Sequence, residues 1–278
     1  LKSIQKLVMG STKTFNNDAF KSVKDLREIN LSSFKTIKID KNFFDNHPNL
    51  ESLVLFSLNS SESESSQNLF FFWGIDQQSL ANLKALKSLT LCDINLKLGP
   101  DCEIFRLENL ETLDLSLGER TRFKKRVLKL NETTFKRMTQ LKDLNLYGNH
   151  IKLEGNCFKH LTNLTHLNLA NTLLESDDNN DYDMFSSLKS LEWCDFNDIE
   201  PSNCFRLYRM AELTNLTELH LILEEHDLEH FGEMLRRKRR PGVEPTNPTY
   251  DDLCYYILKG MTKLRHLNLC SCNLTSIN

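Results

Sequence analysis

Phe135-Lys-Arg-Met138-Thr-Gln-Leu141-Lys-Asp-Leu144-Asn-Leu146-Tyr-Gly-Asn149 is the stretch whose reading decides the fold. Its kernel, Leu-x-x-Leu-x-Leu, recurs about ten times along the 278 residues. Clean copies run from Leu110 to Leu115, Leu164 to Leu169, Leu216 to Leu221 and Leu264 to Leu269. Looser ones end at Met9, Leu31, Leu55, Leu91 and Phe196. Measured on that last apolar position, steps of 22 to 27 residues link Met9 to Leu31, Leu91 to Leu115, Leu146 to Leu169, Leu169 to Phe196 and Phe196 to Leu221. The Leu-x-Leu alternation has the period of a half-buried strand. One such unit cannot bury its own leucines, so units must stack and their strands must align in one parallel sheet.

A period in the twenties with this signature identifies the chain as similar to leucine-rich repeat proteins. The expected fold is α/β: a leucine-rich repeat solenoid, or horseshoe, with a parallel concave β-sheet and an irregular or short-helical convex side. Phe20, Phe105, Phe135, Phe158 and Phe185 precede the leucine runs and are expected to plug the core from the convex side. Asn149 occupies the turn position whose side chain bonds neighbouring backbone. Thr12, Thr172 and Cys272 can bond similarly there, whereas Phe34, Ile94, Gly118 and Ile199 cannot.

Residues 1–278 read as a single array of about ten repeats, interrupted by insertions near 57–82, 118–132 and 222–260. Both ends open directly on repeats, so a fragment lacking both caps is expected. Net charge is −3, so bulk electrostatics do not point to nucleic acid. No apolar run is long enough to span a membrane. The eight cysteines show no paired zinc spacing. Cys194 replaces a core leucine, Cys157 and Cys204 adjoin core Phe residues, and Cys254 with Cys270 or Cys272 is a candidate disulfide.

The first insertion carries Leu69-Phe-Phe-Phe-Trp73, read either as packing against its own repeat or as a partner-contact knob. The second carries the basic run Arg120–Arg126, read as a solvated loop. In the third, Glu224–Arg236 is expected to be helical with Leu228, Phe231 and Leu235 on one face. The basic cluster Arg236, Arg237, Lys238, Arg239 and Arg240 follows, beside Pro241 and Gly242. It reads as a solvated charge run, a site for a basic-residue processing protease, or a polyanion or nuclear-import patch.

Catalytic and metal motifs are weak. His226-Asp-Leu-Glu-His230 matches an inverted zinc-protease pattern but lacks a downstream ligand helix. The run Asp177 to Asp183 imitates a calcium loop, yet Tyr182 stands where Gly is needed. No enzyme, cofactor or metal is therefore expected. Six Asn-x-Ser/Thr sequons occur at Asn30, Asn59, Asn131, Asn163, Asn215 and Asn273. The last five of these are taken as glycosylation candidates, and two share the context Leu-Thr-Asn-Leu-Thr.

The leucine register fixes which residues face outward. A middle column reads Val8, Asn30, Val54, Thr90, Asp114, Asn145, Asn168, Asp195, His220 and Asn268. The column before it reads Lys6, Glu28, Ser52, Ser88, Thr112, Asp143, His166, Trp193, Glu218 and His266, and Tyr147 lies in the column after. Aromatic and histidine residues collect on the last five strands, as in binding hot spots. The candidate ligand-binding residues are Asp143, Asn145, Tyr147, His166, Asn168, Trp193, Asp195, Glu218, His220 and His266. Three histidines beside carboxylates would make binding there depend on pH.

Phe135 to Asn149 resembles the typical extracellular repeat class. With irregular lengths, interrupting loops and Asn-Leu-Thr sequons, the chain resembles a segment of a Toll-like receptor ectodomain. That resemblance implies a glycosylated innate-immune or adhesion receptor, extracellular or endosomal, that binds a protein or other macromolecule and dimerises on ligand. It also implies that a loop such as Arg236 to Arg240 can be processed. The competing reading is a cytosolic leucine-rich repeat adaptor or effector that recruits a protein partner, which suits Cys194 and Cys270-Ser-Cys272 as reduced thiols.

Overall fold

The leucine spacing demands stacking, and stacking is what the computed structural model shows. It describes residues 3–10, 20–34, 38–39, 42–57, 74–75, 77–92, 99–118, 127–176, 183–199, 207–223, 225–237 and 248–270. In chain order the strands are β1 (Lys6–Gly10), β2 (Glu28–Phe34), β3 (Lys38–Ile39), β4 (Ser52–Ser57), β5 (Gly74–Ile75), β6 (Ser88–Cys92), β7 (Thr112–Asp114), β8 (Val127–Asn131), β9 (Asp143–Asn145), β10 (His150–Glu154), β11 (His166–Asn168), β12 (Leu173–Ser176), β13 (Trp193–Phe196), β14 (Glu218–Ile222) and β15 (His266–Cys270). Ten of them form one parallel sheet in the order β1-β2-β4-β6-β7-β9-β11-β13-β14-β15. This is a leucine-rich repeat solenoid with short, irregular convex elements, among them 3-10 turns at Phe44–Asn46, Glu103–Arg106 and Leu207–Glu212.

Strand pairing keeps the leucines in line: Leu89 opposes Leu113, Leu113 opposes Leu144, and Leu167 opposes Cys194. All five of these side chains are buried, and Cys194 fills a leucine position with 0% exposure. Burial in that apolar slot raises the Cys194 thiol well above its ordinary pKa, so it stays neutral and acts as a small hydrophobe. On the far side of the core, Phe105, Phe135 and Phe158 are buried in a row, with ring centroids 5.4 and 6.1 Å apart. Phe185 meets Phe196 at 5.8 Å. Phe20 is only partly buried.

Three turns out of the concave strands take a left-handed backbone at the second residue after the last apolar position. Gly148 (φ 72°), Asn171 (φ 59°) and Asp198 (φ 51°) fill it in three successive repeats. These are the residue types for which that conformation costs least. Beside it, Asn149 Nδ2 donates to the carbonyls of Leu146 (2.8 Å) and Leu115 (3.0 Å), and the Thr172 hydroxyl donates to Leu169 O at 2.6 Å. Thr12 and Cys272 lie outside the described residues.

Two features depart from the expectations. The span 118–132 ends in β8, which pairs with β10 and then β12 in a second parallel sheet. Within 222–260, the described residues form two helices rather than one. The expected helix is α2 (Glu225–Arg237), with α1 (Gln77–Leu80) before it in the chain and α3 (Tyr250–Leu258) after. Phe231, Met234 and Asp227 are its buried residues, while Leu228 and Leu235 are partly buried. A capping box starts α3: the Thr249 hydroxyl accepts from Asp252 N–H, and the Asp252 carboxylate accepts from Thr249 N–H. Phe231 of α2 meets Tyr256 of α3 at 5.3 Å.

Gly148 is the position where the turn tolerates least. An added Cβ would lie 2.2 Å from the carbonyl oxygen of Leu117, which is backbone and has nowhere to retreat. Gly148→Ala is expected to cost about 1–3 kcal/mol, read as a lowered midpoint in urea unfolding followed by circular dichroism. An unchanged midpoint would contradict this account of the turn.

Candidate functional site

The outward residues fall into rows because the eight strands of this sheet from β4 to β15 pair without a slip. Thr112 opposes Asp143, which opposes His166, then Trp193, Glu218 and His266. The neighbouring row runs Thr90, Asp114, Asn145, Asn168, Asp195, His220, Asn268. Nine of the ten candidate binding residues thus lie in two adjacent rows of one surface. Tyr147 lies beside them, and its hydroxyl accepts a hydrogen bond from Asn171 Nδ2 at 3.1 Å.

Within the rows the side chains contact one another across strands. His166 Nδ1 lies 3.2 Å from Asp143 Oδ1 and 2.9 Å from the Thr165 hydroxyl. The His166 ring stacks on Trp193 at 6.2 Å, and Trp193 meets His220 at 5.9 Å. His220 Nε2 bonds Glu218 Oε1 at 2.7 Å, and Asn268 Nδ2 lies 3.4 Å from His220 Nδ1. The result is a continuous string from Asp143 through two histidines and a tryptophan to Glu218. The hydrogen bond from His220 is the main reason the Glu218 carboxyl sits below its ordinary pKa. Trp193 and the charges of His220 and His266 add to it, and partial burial opposes it.

A concavity of about 320 Å³ opens on this surface, between Thr90 and Thr112 on one side and Trp193 on the other, with Asp114, Asp143 and His166 lining it. It therefore reaches two strands further toward the N-terminus than the aromatic cluster suggested. Asp114 belongs to it; the column that contained Asp114 was legible, but nothing in that stretch of sequence marked it as a site.

Four middle-row residues also have a structural task. Asp114, Asn145, Asn168 and Asp195 each accept, through Oδ1, a hydrogen bond from the N–H two residues on, at 2.9, 3.1, 2.9 and 3.0 Å. This is an Asx turn, in which the side chain imitates a backbone acceptor. β7, β9 and β11 end on the Asx residue itself and are three residues long. The short polar side chain thus ends the strand and presents its remaining acceptors outward.

The sequons also have structural work. Asn163 Nδ2 donates to Thr139 O (2.9 Å) and Asn215 Nδ2 to Lys189 O (2.6 Å), tying each repeat to the previous one. Their Thr partners, Thr165 and Thr217, donate to Lys142 O and Glu192 O at 3.0 Å. Asn109 makes the same bond to Lys84 O at 2.8 Å, and it begins no sequon. Asn131 Oδ1 accepts from Thr133 N–H at 2.9 Å. Asn59, Asn273, Lys238, Arg239 and Arg240, together with Leu69–Trp73, Arg120–Arg126, Asp177–Asp181, Cys204 and Cys272, lie outside the described residues. So do the side chains of His226, Arg237 and Cys270, while Arg236 is exposed. Among the described residues, no group of three His, Cys, Asp or Glu side chains could hold a metal ion. No described helix is long and apolar enough to cross a membrane.

Comparison with known proteins fits this architecture. A leucine rich repeat family profile matches residues 124–174, and one for a BspA type leucine rich repeat region matches residues 1–102. No curated protein sequence matches the chain. Among solved structures, an internalin of Listeria monocytogenes is similar at 18% identity and a TM-score of 0.60, over 99% of this chain and 70% of that one. A leucine-rich repeat protein of Leptospira interrogans follows at 21% and 0.55, over 100% and 69%. The Toll–Spatzle complex of Drosophila aligns at 18% and 0.57, over 96% of this chain and 32% of that chain.

Carboxyl-resolved NMR titration tests the string electrostatically. Glu218 is expected to titrate below the 4.5 of an ordinary glutamate, and His220→Phe should move its midpoint back up. A Glu218 midpoint that ignores His220→Phe would remove His220 as the cause.

Proposed function

We propose that this leucine-rich repeat protein is a protein-binding module whose partner seats on the rows from Asp143 to His266. On this reading it forms part of an innate-immune or adhesion receptor ectodomain, facing the extracellular or endosomal space. The observation that carries the binding face is the cross-strand string His166–Trp193–His220, bracketed by Asp143 and Glu218 and opening on a concavity. A sheet that needed only solvent contact would not gather an indole and two imidazoles in mutual contact. A half-exposed aromatic with polar neighbours is the usual centre of a protein interface. The solenoid makes a surface, and its chemistry is that of recognition.

A photo-crosslinking amino acid placed at position 193 should trap a discrete protein adduct in the producing cells, while the same group at the exposed Lys136 position should not. Equal labelling from both positions, or none from 193, would overturn the assignment of the face.

The adaptor reading keeps one specific observation in its favour. The Asn and Thr of Asn163-Leu-Thr165 and Asn215-Leu-Thr217 are fully accounted for by inter-repeat hydrogen bonds, and Asn109 shows that the bond needs no sequon. For a receptor ectodomain, peptide-N-glycosidase should increase the mobility of the protein isolated from its source cells, with fewer than eight titratable thiols. No mobility shift together with eight free thiols would assign the chain to the cytosolic class.

A further inference from the structure

The concave rows have a charge pattern that the composition conceals. From β4 to β15 they contain no lysine or arginine, although the chain has 35 such residues. Their formal charges are the carboxylates of Asp114, Asp143, Asp195 and Glu218. Asp143 and Glu218 have histidine partners, whereas no ion pair reaches Asp114 or Asp195 among the described residues. The row outside holds four basic residues, Arg27, Lys87, Lys142 and Arg265, of which Lys87 and Lys142 are bound to Glu51 and Glu111. A concave surface of one sign focuses its field into the groove. At one end of the concavity lies the Trp193 ring, whose face attracts cations.

We propose that the groove recognises a basic, extended segment of a protein partner, with lysine or arginine side chains set against Asp114, Asp195 and the face of Trp193. This rests on the concave-face reading above and adds the chemistry of the partner. The four carboxylates span β7 to β14, five neighbouring strands, or about 19 Å at ~4.8 Å per strand. An extended chain covers that in about six residues at ~3.3 Å each. In the outer row along this span, Glu111 and Glu192 add further carboxylates, Lys142 is bound to Glu111, and Arg265 stands at the far end beside His266.

The test uses the purified chain and three fluorescein-labelled nonapeptides: alternating arginine and alanine, alternating glutamate and alanine, and a serine–alanine control. The arginine peptide should bind in anisotropy titrations and weaken as salt is raised. The double variant Asp114→Asn, Asp195→Asn keeps both Asx-turn acceptors, so the fold is retained. It should bind the arginine peptide about tenfold more weakly, the scale of two partly exposed charge pairs. Glu51→Gln in the outer row is the control for non-specific attraction and should bind as the native chain does. Equal binding of the glutamate peptide, no binding of the arginine peptide, or an equal effect of Glu51→Gln would each overturn the proposal. Failure here alongside a discrete crosslink from position 193 would leave the binding face standing and reject only the basic partner.

Discussion

Every repeat depends on its neighbours to bury leucines it cannot bury itself, and the backbone is arranged so that the neighbour is always in the same place. The residues just before the concave strands form a ladder of their own. The amides of Arg27, Glu51, Lys87, Glu111, Lys142, Thr165, Glu192, Thr217 and Arg265 each donate to the carbonyl of the ladder residue one repeat back. With the parallel pairing beyond it, this ladder holds the strands of the ten-stranded sheet from β4 to β15 in one register. The alignment of the outward rows, the contact of His166 with Trp193 and the opening beside Asp143 are all consequences of that fixed register.

Because leucine positions dictate register, the outward rows could be written down from the sequence, and the strand pairing places them as written. The turn chemistry at Asn149 and Thr172 was equally readable, since a side chain one repeat along has a known target. Less readable was the second sheet of β8, β10 and β12. Its strands carry the pattern of two or three apolar residues that any return segment might have. The helix α3 was also missed, although Thr249-x-x-Asp252 is a helix start and Pro248 marks the turn before it. Its apolar face is short, and its partner α2 ends as far back as Arg237.

The candidate site shows a different limit. Asp and Asn in the middle row looked like ligand groups, yet Asp114, Asn145, Asn168 and Asp195 also close the turn two residues on. Residue type alone does not reveal whether an Oδ1 serves its own backbone. The same holds for Asn163 and Asn215, whose sequons coincide with a bond that Asn109 also makes. Scaffold and surface share side chains here, so the residues most informative about the fold are the most ambiguous about function.

The outer ladder carries one more property. Along it the charges alternate: Arg27, Glu51, Lys87, Glu111, Lys142, with ion pairs joining Arg27 to Glu51, Glu51 to Lys87 and Glu111 to Lys142. Each exposed pair contributes little, on the order of 0.2–1 kcal/mol. Their order, however, encodes parity: excising the repeat of Glu51, Lys87 or Glu111 alone would set like charges side by side, whereas excising two neighbouring ones of these would preserve the alternation.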